Sequence, residues 1–288
     1  MAVLEAIVLG VVLGLVYAVL GVGFSLTWGT LEVINVAHGA FAVLGAYLGY
    51  FANATYGVDP VLALLGIAPA FFVVGVVLYE VVLRRLARRA RDVAFASLVL
   101  TFGVAVALEN LMVVAFSADP RLMQTGYTST TVDVLGTPIS GGRLVGSGLA
   151  VATLLAVFLF LRWTYTGRAV RAVSQNAEGA ALSGIDERRV SALTFGLGIA
   201  TAGVGGVAAA LFFPFSPSEH LAWMIPVFIV TILGGVGSIV GAGVAGLVTG
   251  LVFELSFSVV GVPFVWVKFV LFVLLIGLLV VRPEGLFQ

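Results

Sequence analysis

Cysteine is absent from this chain, and only two histidines occur in its 288 residues. That excludes a disulfide framework, a thiolate nucleophile and a Cys-ligated metal site. His38 and His220 lie in different segments with no H-E-x-x-H spacing, so no metal centre is expected. Charge is scarce too: Asp, Glu, Lys and Arg make up 10% of the residues, against roughly a quarter in an ordinary soluble domain. No G-x-x-x-x-G-K-S/T stretch is present, so the chain cannot itself cradle a nucleotide phosphate in the Walker manner. G-x-S-x-G and a pair of aspartates facing a common core are also missing, which argues against a hydrolase or an intramembrane protease. No basic, aromatic-interleaved face offers itself to nucleic acid. No catalytic residue, cofactor or metal is therefore assigned.

What remains is oil. Hydrophobic residues reach 61% with a mean hydropathy of +1.20, so the expected fold is all-α, a polytopic transmembrane helical bundle. At roughly 20 residues per span, the apolar runs suggest about eight spans. They cover about Val3 to Trp28, a glycine-rich run to Phe51, Val61 to Leu83, Val93 to Phe116, Ser147 to Trp163, Val190 to Phe213, Ala222 to Val260 and Pro263 to Val281. The start, MAVLEAIVLG, carries no Lys or Arg before its apolar run and reads as an uncleaved first span. The connection from Ser117 to Gly146 is long and rich in Thr, Ser, Gly and Pro, and TSTTVDVLG within it alternates in a β-like way.

Two apolar stretches are interrupted by glycine, one in each half. GTLEVINVAHGAF (Gly29 to Phe41) is less apolar than its flanks. The stretch Ala222 to Val260 is too long for one span and is broken by Gly234, Gly235, Gly237 and Ser238, so a kinked span or a re-entrant piece is expected. Irregular backbone at membrane depth is tolerated only where protein or a water-filled cavity covers it, and paired interruptions can mark a transport path. Asn35 and His38, one helical turn apart beside Gly39, can brace such a break or line a path. Glu32, Glu80, Glu109 and Glu254 lie in or near apolar segments and should face protein or water. Glu80, beside the arginines, reads as a solvated or paired end residue. Glu109 and Asn110 read either as a polar pair fixing helix packing or as path lining.

Charge placement orients the chain. Of 14 Lys and Arg residues, five lie in Arg84 to Arg91 and five in Arg162 to Arg189; both loops should be cytoplasmic. Eight plain spans counted from these anchors put both termini outside, unless an extra re-entrant segment intervenes. GRAVRAVSQNAEGAALSGIDERR, Gly167 to Arg189, is the one long polar island. Read at helical spacing, Arg168, Arg171, Gln175 and Glu178 share one face while Val170, Val173, Ala177 and Ala180 share another. The helix should end near Gly184, and Asp186 should cap the next. Its small-residue face lacks the Trp, Phe and Leu that a lipid anchor buries, which favours a protein partner.

Several stretches together resemble the inner-membrane permeases of branched-chain amino acid importers of the ATP-binding cassette class, of the LivH type. GTLEVINVAHGAFAVLGAYLGY is similar to that family's signature, with Ile34-Asn35-Val36-Ala37-His38-Gly39 standing for its INFAHG core and Val36 replacing the usual Phe. GRAVRAVSQNAEGAALSGIDERRV resembles its cytoplasmic coupling loop, with Ala177 and Gly179 where Pro and Ala are common. TILGGVGSIVGAGVAGLVTG resembles its glycine-rich late segment and RPEGLF its ending, all in the right order. The resemblance implies a single permease domain, residues 1–288, in the cell inner membrane, with a coupling loop at 164–190. It implies as partners a sister permease, two cytoplasmic ATPase subunits, an extracytoplasmic solute-binding protein and membrane lipid, with no nucleic acid. Arg168, Arg171, Gln175, Glu178, Gly184 and Asp186 would couple to the ATPase, and the solute would be a branched-chain amino acid. The same architecture moving urea, short amides or a sugar, and a secondary transporter or channel, are the alternatives.

Overall fold

The computed structural model describes residues 2–281; RPEGLF and its Arg282 lie outside the described residues. The apolar runs are helices, because in hydrocarbon each backbone N–H and C=O must be satisfied within its own segment. In chain order they are α1 (Ala2–Leu31), α2 (Ala37–Tyr56), α3 (Pro60–Leu78), the short α4 (Arg84–Ala87), α5 (Val93–Phe116), α6 (Gly141–Trp163), α7 (Tyr165–Gln175), α8 (Ala177–Leu182), α9 (Glu187–Ala210), α10 (His220–Leu233), α11 (Ile239–Ser258) and α12 (Phe264–Val281). A π-turn, Tyr79–Leu83, joins α3 to α4, and a 3₁₀ turn, Pro217–Glu219, leads into α10. Among the described residues, seven helical stretches are long and apolar enough to cross a membrane. The protein is a polytopic helical bundle. The less apolar α2 is walled in by α3, α5 and α9.

The longest seam joins α1 to α11, running in opposite directions: Gly10 meets Leu251, Gly14 meets Gly246 and Leu247, and Gly29 meets Gly237. At Gly14 a Cβ would stand 2.7 Å from both the Gly246 carbonyl oxygen and the Leu247 Cα. Only the missing side chain lets these backbones approach so closely. Helix α9 also runs against α1, pairing Gly198 with Thr27 and Gly205 with Leu20. It is the most enclosed span, buried from Val190 through Ala210 at most positions.

The stretch expected to be kinked or re-entrant resolves into two helices. Helix α10 alone has 14 residues, about 21 Å at 1.5 Å per residue, and counts among the seven only together with its leading 3₁₀ turn, as Pro217–Gly234. It runs alongside the second half of α1, with Val230 beside Gly21 and Gly235 beside Ser25. At Gly235 and Gly237, with φ of 82° and 86°, the chain turns into α11, which returns along α1. Helix α12 folds back again, so that Lys268 reaches the level of Val16 and Leu20 while Leu271 packs with Ile229 and Ile232. The extra short helix changes the parity of the count, so the start of α1 and the end of α12 lie at opposite ends of the bundle, as the alternative of an extra segment in this stretch allows.

The β-like alternation in the long connection is a hairpin, Thr131–Val134 paired antiparallel with Thr137–Ser140. Leu135 and Gly136 turn it with φ of 55° and 80°, the left-handed pair that a two-residue hairpin needs. The connection is tied down where Arg121 exchanges backbone hydrogen bonds with Phe215, 2.8 and 2.9 Å.

Candidate functional site

The polar island forms two helices where one was expected. Helix α7 ends at Gln175, and Asn176, with φ −160° and ψ 99°, leaves helical geometry. Its side-chain Oδ1 then accepts from the Gly179 N–H at 2.8 Å and starts α8. Asn competes with the helix for backbone partners and favours such caps, a local choice that the three-and-four spacing does not register. Arg168, Arg171 and Gln175 thus stand on α7 and Glu178 on α8. The division of faces is as read: Val170, Val173 and Ala180 are buried, while Arg168, Arg171, Gln175 and Glu178 are exposed. The loop closes at Gly184, φ 81°, where the Ile185 N–H donates back to the Ala180 carbonyl at 3.1 Å. The Asp186 carboxylate caps α9 by accepting from the Arg189 N–H at 3.2 Å.

The buried face packs on the protein itself. Val170, Val173 and Ala180 share a cluster with Val157, Leu161 and Val190 of α6 and α9. What faces outward is charge, plus one residue the sequence reading missed: Leu182, 91% exposed. An isolated leucine at the end of a polar helix carries no period, so only its placement distinguishes it.

Glu80 ties this loop to the arginine loop. Its carboxylate accepts from Arg84 at 3.1 Å and from Arg188, at the start of α9, at 2.8 Å. It is a paired end residue. The link sets both basic loops at the same end of the bundle, as the positive-inside rule requires.

The two glycine interruptions meet. Gly29 abuts Gly237, whose N–H donates to the Ser25 carbonyl at 3.1 Å and the Ser25 hydroxyl at 3.0 Å. Gly234 packs on Gly241 inside the turn, and Ser238 caps α11 by accepting from the Gly241 N–H at 3.0 Å. On the other side, α1 ends at Glu32, a non-glycine residue with φ of 56°, and five residues climb back before α2 begins. Their backbone is satisfied by α5. The Ile34 N–H donates to Ser97 Oγ and the Val36 N–H to Thr101 Oγ1, both at 3.0 Å. The Thr101 hydroxyl donates to the Ile34 carbonyl at 3.0 Å. This is the cover that irregular backbone at such depth demands.

Asn35 and His38 diverge from there and share only a backbone hydrogen bond, from the His38 N–H to the Asn35 carbonyl at 3.1 Å. The His38 ring turns to α1, where Nε2–H donates to the Leu20 carbonyl at 2.9 Å and the ring meets Phe24 edge-on. Asn35 instead borders a void of about 20 Å³ between α5, α9 and the π-turn, just enough for one water. Gly39 lets the start of α10 approach, abutting the His220 carbonyl. Glu109 and Asn110 part as well. Glu109 reaches His220 Nδ1 across to α10 at 3.7 Å, whereas exposed Asn110 donates to the Val106 carbonyl of its own helix at 2.8 Å. A polar pair acting together is therefore not present. Among the described residues, no group of three or more His, Cys, Asp or Glu could hold a metal ion.

Known proteins resemble this chain over nearly its whole length. The chain is 29% identical to the high-affinity branched-chain amino acid transport system permease LivH of Escherichia coli, over 96% of this chain and 92% of that one. It is 29% identical to BraD of Pseudomonas aeruginosa, described in the same words, over 98% of this chain and 95% of that one. A probable LivH of Methanocaldococcus jannaschii is 25% identical over 93% of this chain and 87% of that one. The family model described as "Branched-chain amino acid transport system / permease component" matches residues 6–279. The chain is a multi-pass membrane protein and belongs to the branched-chain amino acid transport system permeases.

Proposed function

We propose that this protein is the permease subunit of an ATP-binding cassette importer that carries branched-chain amino acids across the cell inner membrane. It pairs with a sister permease, takes its energy from two cytoplasmic ATPase subunits and receives solute from an extracytoplasmic binding protein. The observation that carries this reading is the family match over nearly the whole chain, joined to a two-helix loop that buries its apolar face and exposes its charges. The exposed face of residues 164–190 is the ATPase dock. Arg168, Arg171, Gln175 and Glu178 supply the polar rim, while Gly184 and Asp186 fix the exit into α9.

The dock differs from a simple helix laid into a groove. Its small residues are spent on the bundle, so the partner meets the exposed Leu182 together with the loop's charged residues, an apolar anchor with polar contacts as in other protein interfaces. A push on α7 and α8 passes directly to α6 and α9 through their shared cluster, and through Arg188 to Glu80 at the end of α3. Nucleotide binding then shifts the population between outward- and inward-open pairs.

The test is ATP-driven leucine uptake by the reconstituted complex. Leu182→Ala should lower uptake roughly tenfold, the scale of a hot-spot truncation, and Arg171→Glu should do the same, with the chain still inserted and folded. Uptake unaffected by both changes defeats the docking assignment. Solute moved by the purified chain on an ion gradient alone, with no ATPase, defeats the importer reading itself.

A further inference from the structure

We propose that a cavity between α1, the α9–α10 turn and α12 is a binding site for a zwitterionic amino acid; this deepens, and rests on, the importer reading above. The cavity has a volume of about 230 Å³, the room of seven or eight waters at roughly 30 Å³ each. That is room enough for one amino acid. It lies where α10 begins part-way down α1, beside Val16 and Leu20. Discontinuous helices of this kind form the substrate sites of other transporters.

Its chemistry is what selects the ligand. Lys268 is the one charged residue in α12, an otherwise apolar helix. An ionisable group there is costly and calls for a partner, yet among the described residues no carboxylate lies within ion-pair distance of it. Glu219, exposed in the turn before α10, lines the same cavity and offers it a carboxylate. The site thus presents one unpaired cation and one solvated anion along a wall that includes Leu20, Phe213 and Trp223. A zwitterion answers both at once: its carboxylate to Lys268, its ammonium to Glu219, its aliphatic chain to the wall. A solute without a carboxylate leaves Lys268 unpaired in its apolar helix, and one without an ammonium forgoes the contact with Glu219. Lys268 also borders an apolar groove of about 340 Å³ along α12, which gives a branched side chain somewhere to extend.

Trp223 makes the site its own reporter. The experiment titrates the purified complex, without ATP or binding protein, with L-leucine while following tryptophan fluorescence. Isoamylamine and isocaproate, the same branched skeleton lacking the carboxylate or the ammonium, are titrated in parallel. Leucine should saturate the signal, each analogue should bind at least tenfold more weakly, and Trp223→Phe should abolish the response. Lys268→Met should weaken leucine at least tenfold and erase its preference over isoamylamine, while Lys268→Arg keeps both. The retained-charge variant separates lost recognition from lost folding. Equal affinity for leucine and both analogues overturns the proposal, as does a response that survives Trp223→Phe. Vesicles that import leucine with a flat titration overturn this site and leave the permease reading standing. A saturable, zwitterion-selective titration in a complex that imports nothing supports the site and counts against the importer reading.

Discussion

Adding one methyl group to the α1–α11 seam should separate helix packing from helix propensity. At Gly14 a Cβ would stand 2.7 Å from two backbone atoms of α11, the Gly246 oxygen and the Leu247 Cα. Ordinary contact begins near 3.4 Å, so the helices must part by about 0.7 Å. The obstacles are backbone atoms, which cannot swing aside as a side chain would. Overpacking of this kind costs about 1–3 kcal/mol. A gap of 0.5–1 Å opened along the rest of the seam forfeits roughly a quarter to a half of each atom-pair attraction. Alanine returns about 0.5–1 kcal/mol through its better helix propensity. Gly14→Ala should therefore destabilise by about 1–2 kcal/mol. Gly243, on α11, has nothing within 4 Å of a built Cβ, so Gly243→Ala should gain the propensity without the clash, about 0.5–1 kcal/mol. The two variants should differ by about 2 kcal/mol in reversible detergent unfolding. If Gly14→Ala is as stable as Gly243→Ala, the close antiparallel seam is wrong.

Two further predictions concern backbone satisfaction. Thr101→Val keeps the shape but leaves the buried Val36 N–H and the Ile34 carbonyl without their hydroxyl partner; the expected cost is about 1–3 kcal/mol, with faster amide exchange at Val36. Unchanged exchange there would mean the broken helix is held by something else. Asn176→Ala removes the cap of α8 at a cost of about 1 kcal/mol, so amides 177–182 should lose protection while the transmembrane core keeps its own.

What the sequence disclosed follows from whether the cause was local. The spans, the β-like alternation of the first hairpin strand and the Asp186 cap were legible, because hydrophobic length, alternation and capping act over a few residues. So was the split of Val170 and Val173 from Arg168 and Arg171, a matter of helical period. The break at Asn176 was also local, but the amphipathic pattern continues across it and hid it. Non-local outcomes stayed invisible. Nothing in GGVGS says that Gly237 will meet Gly29, nor that His38 will turn to Leu20 and Asn35 away from it. Asn110 and Glu109 are neighbours in sequence, but consecutive residues on a helix point about 100° apart and do not share a face. A single lysine in an apolar run, such as Lys268, carries no pattern, and its meaning depends on Glu219, some fifty residues earlier and brought to the same cavity only by the fold.

The contacts also suggest why both interruptions are broken in the way they are. A continuous second span would have no reason to leave α1 at Glu32 with a left-handed residue, which costs about 1–2 kcal/mol. The cost makes sense if α2 must start deep, beside Leu20, so that Gly39 can receive α10. Helix α10 in turn is short because its start carries Glu219 to the cavity and its end carries Gly237 to Gly29. One short helix therefore links the proposed solute site to the junction of the two interruptions. Helix α9, which receives the cytoplasmic loop at Asp186, ends at the same cavity with Ala209. A displacement delivered at α7 and α8 has a rigid route of one helix to the solute. Inserting a helix-breaking proline in α9, at Ala200 midway along it, should then abolish ATP-driven uptake while leaving leucine binding at Trp223 measurable. Uptake and binding lost together, or neither lost, would show that α9 is not the rod that joins them.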